Sequence, residues 1–112
     1  MSILDRAKAH FADFGVQSVE VPEWGEEGKP LVIYWKPITL AEKQKLATVA
    51  QEDGYLARIA DCLILKALDA EGKKLFTIED KFALRHSVDP DVLARVVMQM
   101  MASPGVKEMG KS

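Results

Sequence analysis

The sequence predicts an α+β domain that is mainly helical, with about five helices and one β-hairpin in its N-terminal half. Apolar residues recur at the 3.6-residue helical period along most of the chain. Within residues 16–37 they alternate instead and include a β-branched and aromatic run. The chain has 112 residues, of which 48% are apolar and 29% charged, which suits one globular core. We therefore expect a single globular domain over residues 1–102 and a mobile tail over residues 103–112.

The first helix is predicted from four apolar residues at helical spacing, Leu4, Ala7, Phe11 and Phe14. Charged residues occupy the other positions around the helix. Gly15 is placed to cap its C-terminal end, because glycine adopts the left-handed conformation that often follows a helix.

The hairpin is predicted over about residues 16–37. Val19 and Val21 alternate with polar residues, and residues 31–35 form the β-branched and aromatic run. We expect a long loop over residues 22–30 between the two strands, since it contains two prolines and two glycines. A two-stranded ribbon is marginal alone, so it should pack on the helices or pair with another chain.

The remaining helices are predicted over about residues 39–102. A capping-box pattern begins a helix at Thr39 that runs to Asp53. The helix over Tyr55–Asp69 is apolar around most of its circumference and should lie at the centre. A shorter helix over Thr77–His86 should bury Ile78, Phe82 or Leu84, and Asp89-Pro90 begins the last helix. The side chains expected in the buried stripes of the three long helices are Leu46, Val49, Ala50, Leu56, Ile59, Ala60, Leu63, Ile64, Ala67, Leu93, Val96, Val97, Met100 and Met101.

Charge and composition argue against several classes of protein. Fifteen basic and seventeen acidic residues give a net charge of -2, which offers no basic surface for nucleic acid. No apolar stretch is long enough to cross a membrane, and the charged N-terminus does not resemble a signal peptide. The single Cys62 cannot form an internal disulfide. We expect a cytoplasmic protein.

Groups that carry out catalysis are scarce, and we predict no catalytic, cofactor-binding or metal-binding residue. His10 and His86 are the only histidines, and both have ordinary structural roles available to them. Cys62 lies in the most apolar helix, where cysteine behaves as a small hydrophobe. The alternative, a small enzyme, would require a polar pocket around one of these three residues.

Four residues are predicted to contact a partner: Trp24, Tyr34, Trp35 and Met98. Tyr34 and Trp35 are neighbours on a strand and must point to opposite faces, so one of them is either exposed or covered by another molecule. A tryptophan in the core with a half-solvated tyrosine is the alternative. Met98 lies off the main stripe of the last helix, and methionine suits surfaces that accept varied apolar partners. Met109 could serve the same purpose, and both methionines could instead fill the core.

Three stretches resemble the tail assembly chaperones of long-tailed, siphovirus-type phages and prophages. They are Val21-Pro22-Glu23-Trp24-Gly25, Val32-Ile33-Tyr34-Trp35-Lys36-Pro37-Ile38-Thr39-Leu40-Ala41-Glu42 and Leu68-Asp69-Ala70-Glu71-Gly72-Lys73-Lys74-Leu75-Phe76-Thr77-Ile78-Glu79-Asp80. The likeness covers about residues 16–101. Its motifs are structural signatures and not catalytic ones.

This resemblance implies a non-catalytic protein that binds and solubilises the tape measure protein, the long helical chain that sets tail length. Such chaperones act in the host cytoplasm and are not expected in the mature virion. We also expect self-association of this chain through the predicted contact residues. The alternative is a structural component, a head–tail connector or minor tail protein, that stays in the virion.

The resemblance also implies a longer product, made by a ribosomal frameshift, whose added domain contacts the tail-tube protein. Gly110-Lys111 is a candidate site, because glycine and lysine codons can form a slippery run of G followed by A.

Overall fold

Five α-helices and one antiparallel hairpin make up residues 2–102, the part of the chain that the computed structural model describes. The predicted fold class, α+β and mainly α, is confirmed. The elements are α1 (Ile3–Ala12), β1 (Gln17–Glu26), β2 (Lys29–Trp35), α2 (Leu40–Asp53), α3 (Ala57–Lys66), a 3₁₀ turn (Ile78–Asp80), α4 (Lys81–His86) and α5 (Pro90–Met101). The predicted tail over residues 103–112 lies outside the described residues.

The two strands are longer than predicted, and the expected loop over residues 22–30 is wrong. The strands pair in register from Gln17 opposite Trp35 to Val21 opposite Leu31, and Glu26 pairs again with Lys29. Between these two paired parts the register shifts and β1 bulges. Only two residues form the turn.

Prolines and glycines in this segment shape the bulge and do not end the strands. Pro22 and Pro30 lack the N–H that a regular ladder needs, so the pairing is interrupted there while the chain stays extended. Gly25 passes so close to the backbone of Lys29 and Leu31 that a Cβ would overlap it. Gly28 supplies the positive φ of 76° in the turn.

Helix α2 begins with the predicted capping box. The backbone N–H of Glu42 donates to Thr39 Oγ1 at 3.1 Å, and the Thr39 N–H donates to Glu42 Oε1 at 2.9 Å. The helix ends at Asp53 before Gly54, as predicted. Helix α5 begins at Pro90 after Asp89, whose side chain accepts from the Asp91 N–H, so its predicted start is also confirmed.

Helix α3 ends three residues earlier than predicted, because the chain after it joins the hairpin. Ala67 is extended, and the Leu68 N–H donates to Tyr34 O at 2.8 Å while the Tyr34 N–H donates to Leu68 O at 2.9 Å. Leu68 also pairs with Lys74, beyond the turn at residues 69–72. The edge of β2 therefore provides backbone hydrogen bonds that a longer α3 would have to give up.

The core lies between the hairpin and α2, α3, α4 and α5. Its buried side chains are Val21, Ile33, Trp35, Leu46, Ala60, Cys62, Leu63, Ala67, Leu84, Val92, Leu93, Val96, Val97 and Met100. Most of the predicted stripes are confirmed. Leu56 is an exception: it precedes α3 and is 72% exposed, so its predicted burial is wrong. Of the three candidates on the short helix only Leu84 is buried.

Helix α1 differs from the others, because none of its residues is buried. The predicted helix forms, with Ser2 as its N-cap, whose side chain accepts from the Asp5 N–H at 3.0 Å. It ends at Ala12 with Asp13 as its C-cap, so the predicted cap at Gly15 is wrong. Its apolar stripe faces solvent, with Ile3 73% and Leu4 64% exposed.

No helix within residues 2–102 is both long and apolar enough to cross a membrane.

Candidate partner-binding surface

An apolar groove runs along α5 where the start of α3 packs against it. Two adjoining cavities of about 560 and 410 Å³ form the groove, and they share Leu56, Ile59 and Ala94 as lining residues. The polar side chains of Arg85, His86 and Asp91 line one end together with Leu84, Val88, Pro90 and Leu93. The other end is lined by Tyr55, Arg58, Val97, Met98, Met101 and Ala102. We call this feature the α3–α5 groove.

Three large side chains of this groove are exposed to an unusual degree for their type. Tyr55 is 67%, Leu56 72% and Met98 73% exposed. Single exposed apolar residues are ordinary on protein surfaces, but several around one concave surface are typical of a binding site. The groove is therefore the strongest candidate for partner contact in the part of the chain that the structure describes.

Arg58 contacts both Tyr55 and Met101 at one end of the groove. Its guanidinium carbon lies 4.2 Å from the centre of the Tyr55 ring, a cation–π arrangement. Its Nη1 lies 3.3 Å from the sulfur of Met101. The Nε atom is buried and has no hydrogen-bond partner.

The four predicted contact residues do not form one surface. Met98 lines the groove and is exposed. Trp24 is half-buried on the hairpin, where its ring meets Phe76 edge-on at 6.4 Å. Tyr34 is also half-buried and lines a separate cavity that shares no residue with the groove.

Trp35 must be removed from the predicted contact residues. It is 4% exposed and belongs to the hydrophobic core, so its side chain is not available to a partner. Of the two alternatives for Tyr34 and Trp35, the structure has the tryptophan in the core and the tyrosine half-solvated. The segment at Leu68 pairs with the backbone of Tyr34 along the edge of the strand.

Sequence reasoning missed Tyr55, Leu56 and Arg58 as candidate site residues. The apolar pattern of the third helix placed Leu56 on its buried face. Gly54 is the sequence signal that could have corrected this placement, because a glycine commonly ends the helix before it and starts a turn. In the structure Gly54 has a φ of 104°, and the two residues after it form a turn before α3 begins.

The groups that could support an enzyme are placed in structural roles. Cys62 is fully buried, and burial raises the pKa of its thiol to about 11. His10 meets Phe14 edge-on at 5.0 Å, and His86 stacks on Phe82 at 4.2 Å. His86 also lines one end of the groove. Within residues 2–102 no group of three or more His, Cys, Asp and Glu is placed to hold a metal ion.

Two ion pairs fix the elements around these surfaces. Arg95 on α5 donates two hydrogen bonds of 2.7 Å to Glu23 on the hairpin, and this contact lowers the pKa of Glu23 to about 2. Lys66 Nζ lies 2.9 Å from Glu42 Oε1 and is 9% exposed. Partial burial raises the pKa of Glu42, but hydrogen bonds from Lys66 and Thr39 outweigh it, so the pKa is lower than usual.

No protein family, curated protein or solved structure matches this chain.

Proposed function

We propose that this protein is a non-catalytic chaperone of phage tail assembly, which binds the tape measure protein and keeps it soluble before the tail forms. The observation that carries the proposal is the exposed apolar α3–α5 groove. Its exposed side chains, Tyr55, Leu56 and Met98, lie together beside apolar walls. The resemblance of residues 16–101 to tail assembly chaperones supports the same function.

The groove suits an amphipathic helix as its client. An apolar groove recognises a helix by the residues on one face, at positions i, i+3, i+4 and i+7. Met98 and Met101 line the groove, and their flexible side chains can adapt to different apolar side chains along a long client. A tape measure chain outside the tail exposes many such helical faces, which would otherwise aggregate.

The chaperone must leave when the tail tube assembles. One narrow groove per copy provides a small contact area, and small contacts dissociate quickly. Many copies along one client could therefore shield it and still be displaced.

Co-expression with the neighbouring tape-measure gene tests the proposal. We expect the tape measure protein to become soluble and to co-purify with the chaperone. A Met98→Asp variant should weaken capture about tenfold or more, because burying a side chain of this size contributes about 1.5–3 kcal/mol. Leu40→Asp is the matched control: Leu40 is 85% exposed at the start of α2 and does not line the groove.

Insolubility of the tape measure protein in the presence of the wild-type chain would refute the proposed function. Equal capture by the Met98→Asp and wild-type chains would refute the groove as the binding site. Mass spectrometry of purified virions separates a chaperone of the host cytoplasm, which should be missing, from a connector or minor tail protein, which should be present.

The tail-tube protein would be a second partner, reached through a longer, frameshifted product. Gly110-Lys111 lies outside the described residues, so this part of the proposal depends on the gene. A slippery heptamer at these codons with an overlapping downstream frame is the expected finding, and its absence would refute this part.

A further inference from the structure

The outer edge of β1, which faces away from β2, has backbone groups directed outward. Tyr34 exchanges backbone hydrogen bonds with Leu68, so the N–H and C=O of Tyr34 point away from β1. Ser18 lies directly opposite Tyr34. Directly opposite residues of an antiparallel pair either bond to each other or both point outward, and the two states alternate along the strand. The N–H and C=O groups of Ser18 and Glu20 therefore point away from β2.

No residue in the described part of the chain pairs with these outward groups. The backbone hydrogen bonds outside the hairpin and the helices include none at Ser18 or Glu20. Both side chains are exposed, while Val19 between them is half-buried and Val21 is buried. The open edge ends at Pro22, which lacks an N–H and where the register shifts. An unpaired strand edge of this kind can accept one further strand.

The charge of this edge determines which strand suits it. Strand β1 contains three glutamates and no lysine or arginine. Glu23 is bound to Arg95, whereas Glu20 has no ion-pair partner within residues 2–102. A residue that pairs directly opposite Glu20 places its side chain on the same face of the sheet, so a basic side chain is favoured there.

A second β1 strand fits this edge poorly. Antiparallel pairing that uses both Ser18 and Glu20 of two copies brings the two Glu20 carboxylates to diagonal positions on one face, where they repel each other. A segment with basic side chains at alternate positions carries the opposite charge there. Its intervening side chains point to the face of Val19 and Val21, which favours apolar residues at those positions.

We propose that the outer edge of β1 binds an extended segment of a partner polypeptide in which basic and apolar residues alternate. The segment pairs antiparallel with Ser18 and Glu20, adds a strand to the hairpin and places its basic side chains beside Glu20. Antiparallel pairing continues the pattern of the hairpin and is the more stable of the two directions. Because only two residues offer outward groups, the contact is weak, with a Kd on the order of 100 µM.

This site goes beyond the proposed function and is separate from it. Neither Ser18 nor Glu20 lines the α3–α5 groove. Loss of the edge contact therefore leaves the expected capture of a client by the groove unchanged, and either proposal can fail without the other.

A synthetic peptide that alternates lysine and valine over about seven residues tests the proposal. We expect it to bind the full chain, as measured by fluorescence anisotropy of the labelled peptide. Hydrogen exchange followed by NMR should slow about tenfold at the Ser18 and Glu20 amides when about nine-tenths of the chain carries peptide, because these N–H groups become paired. The Val19 amide faces β2 and should change little, so it is the internal control.

N-methylated peptides separate backbone pairing from charge attraction. Peptide residues opposite Ser18 and Glu20 direct their N–H groups at the edge, and these residues are the lysines when the basic side chains lie beside Glu20. Methylation of the lysine backbone nitrogens should weaken binding about tenfold or more, because it removes the donors. Methylation of the valine backbone nitrogens is the matched control, since those groups point away from β1 and the peptide keeps its charge.

Charge reversal in the protein tests the choice of a basic partner. Glu20→Lys should bind the lysine–valine peptide about three- to tenfold more weakly than the wild type does, and a glutamate–valine peptide more tightly. Glu52→Lys is the matched control, because Glu52 is exposed on α2 and its replacement changes the net charge equally. Both substitutions are at exposed side chains, so circular dichroism should show folded chains. Equal affinity of Glu20→Lys and the wild type for the lysine–valine peptide would refute the basic partner.

Three further results would overturn the proposal. A lysine–valine peptide that does not bind at about 1 mM would show that the bulge, Pro22 and the charges only keep the edge from pairing. Equal weakening by both N-methylated peptides, or by neither, would show a contact without antiparallel pairing at this edge. Slower exchange at Ser18 and Glu20 in the chain alone as its concentration rises would show that a second copy occupies the edge.

Discussion

Replacing Trp35 with alanine gives the sharpest test of which aromatic residues support the fold. Trp35 is 4% exposed at the end of β2, in contact with the core. Removing a buried tryptophan side chain costs about 3–5 kcal/mol, since its apolar contacts are lost and the cavity does not fully close. Domains of this size have a total unfolding free energy of about 5–15 kcal/mol, so Trp35→Ala should remove a large part of it.

Urea denaturation followed by circular dichroism measures this loss, and the midpoint of thermal unfolding should fall by on the order of 15 °C. Met98→Ala is the control, because Met98 is 73% exposed and its replacement should change stability by no more than about 0.5 kcal/mol. A Trp35→Ala chain that loses less than about 1 kcal/mol while losing partner binding would refute the reasoning. That result would mean that the Trp35 side chain contacts a partner and is not part of the core.

Two further predictions concern the hairpin and the partly buried ion pair between Lys66 and Glu42. Gly25→Ala should destabilise the domain by about 1–3 kcal/mol in urea denaturation, because the added Cβ overlaps the opposite strand. Gly28→Asn should cost far less, since its positive φ suits asparagine and the space around it is open; equal losses would refute the close approach at Gly25. Glu42 stabilises the fold through Lys66 in its charged form, and its pKa in the folded chain lies below the ordinary 4.5. This contribution is present above pH 4.5 and is lost as the pH falls through the folded-state pKa. The stability difference between the wild type and Glu42→Gln should therefore shrink as the pH is lowered from about 6 to about 3, and a difference independent of pH would contradict the assigned role.

Local signals predicted the helices well, because the interactions that begin and end a helix lie within a few residues. The capping box at Thr39 and the proline at Pro90 each specify a start without help from distant parts of the chain. The stripe of α5 also followed from its spacing, since one helix face must meet a core.

Errors occurred where distant segments meet. The end of α3 depends on backbone hydrogen bonds between segments far apart in sequence, as between Leu68 and Tyr34. The hairpin turn was missed for a different reason: its prolines and glycines indicate a loop, although Glu26 and Lys29 pair on either side of two residues. The pattern of apolar residues along a segment does not show which other segment its backbone will pair with. Leu56 and Trp35 show the same limit for side chains, since hydrophobicity alone does not tell which apolar residue the fold covers.

The sequence by itself determined the fold class and the capped ends of α2 and α5, because periodicity and capping act over a few residues. Only the tertiary structure decided that Trp35 is core and that Leu56 lies in a groove beside Met98. It also decided that α1 is left uncovered. Whether an apolar side chain is buried depends on which other elements pack against it, and these contacts are made between elements rather than within one of them.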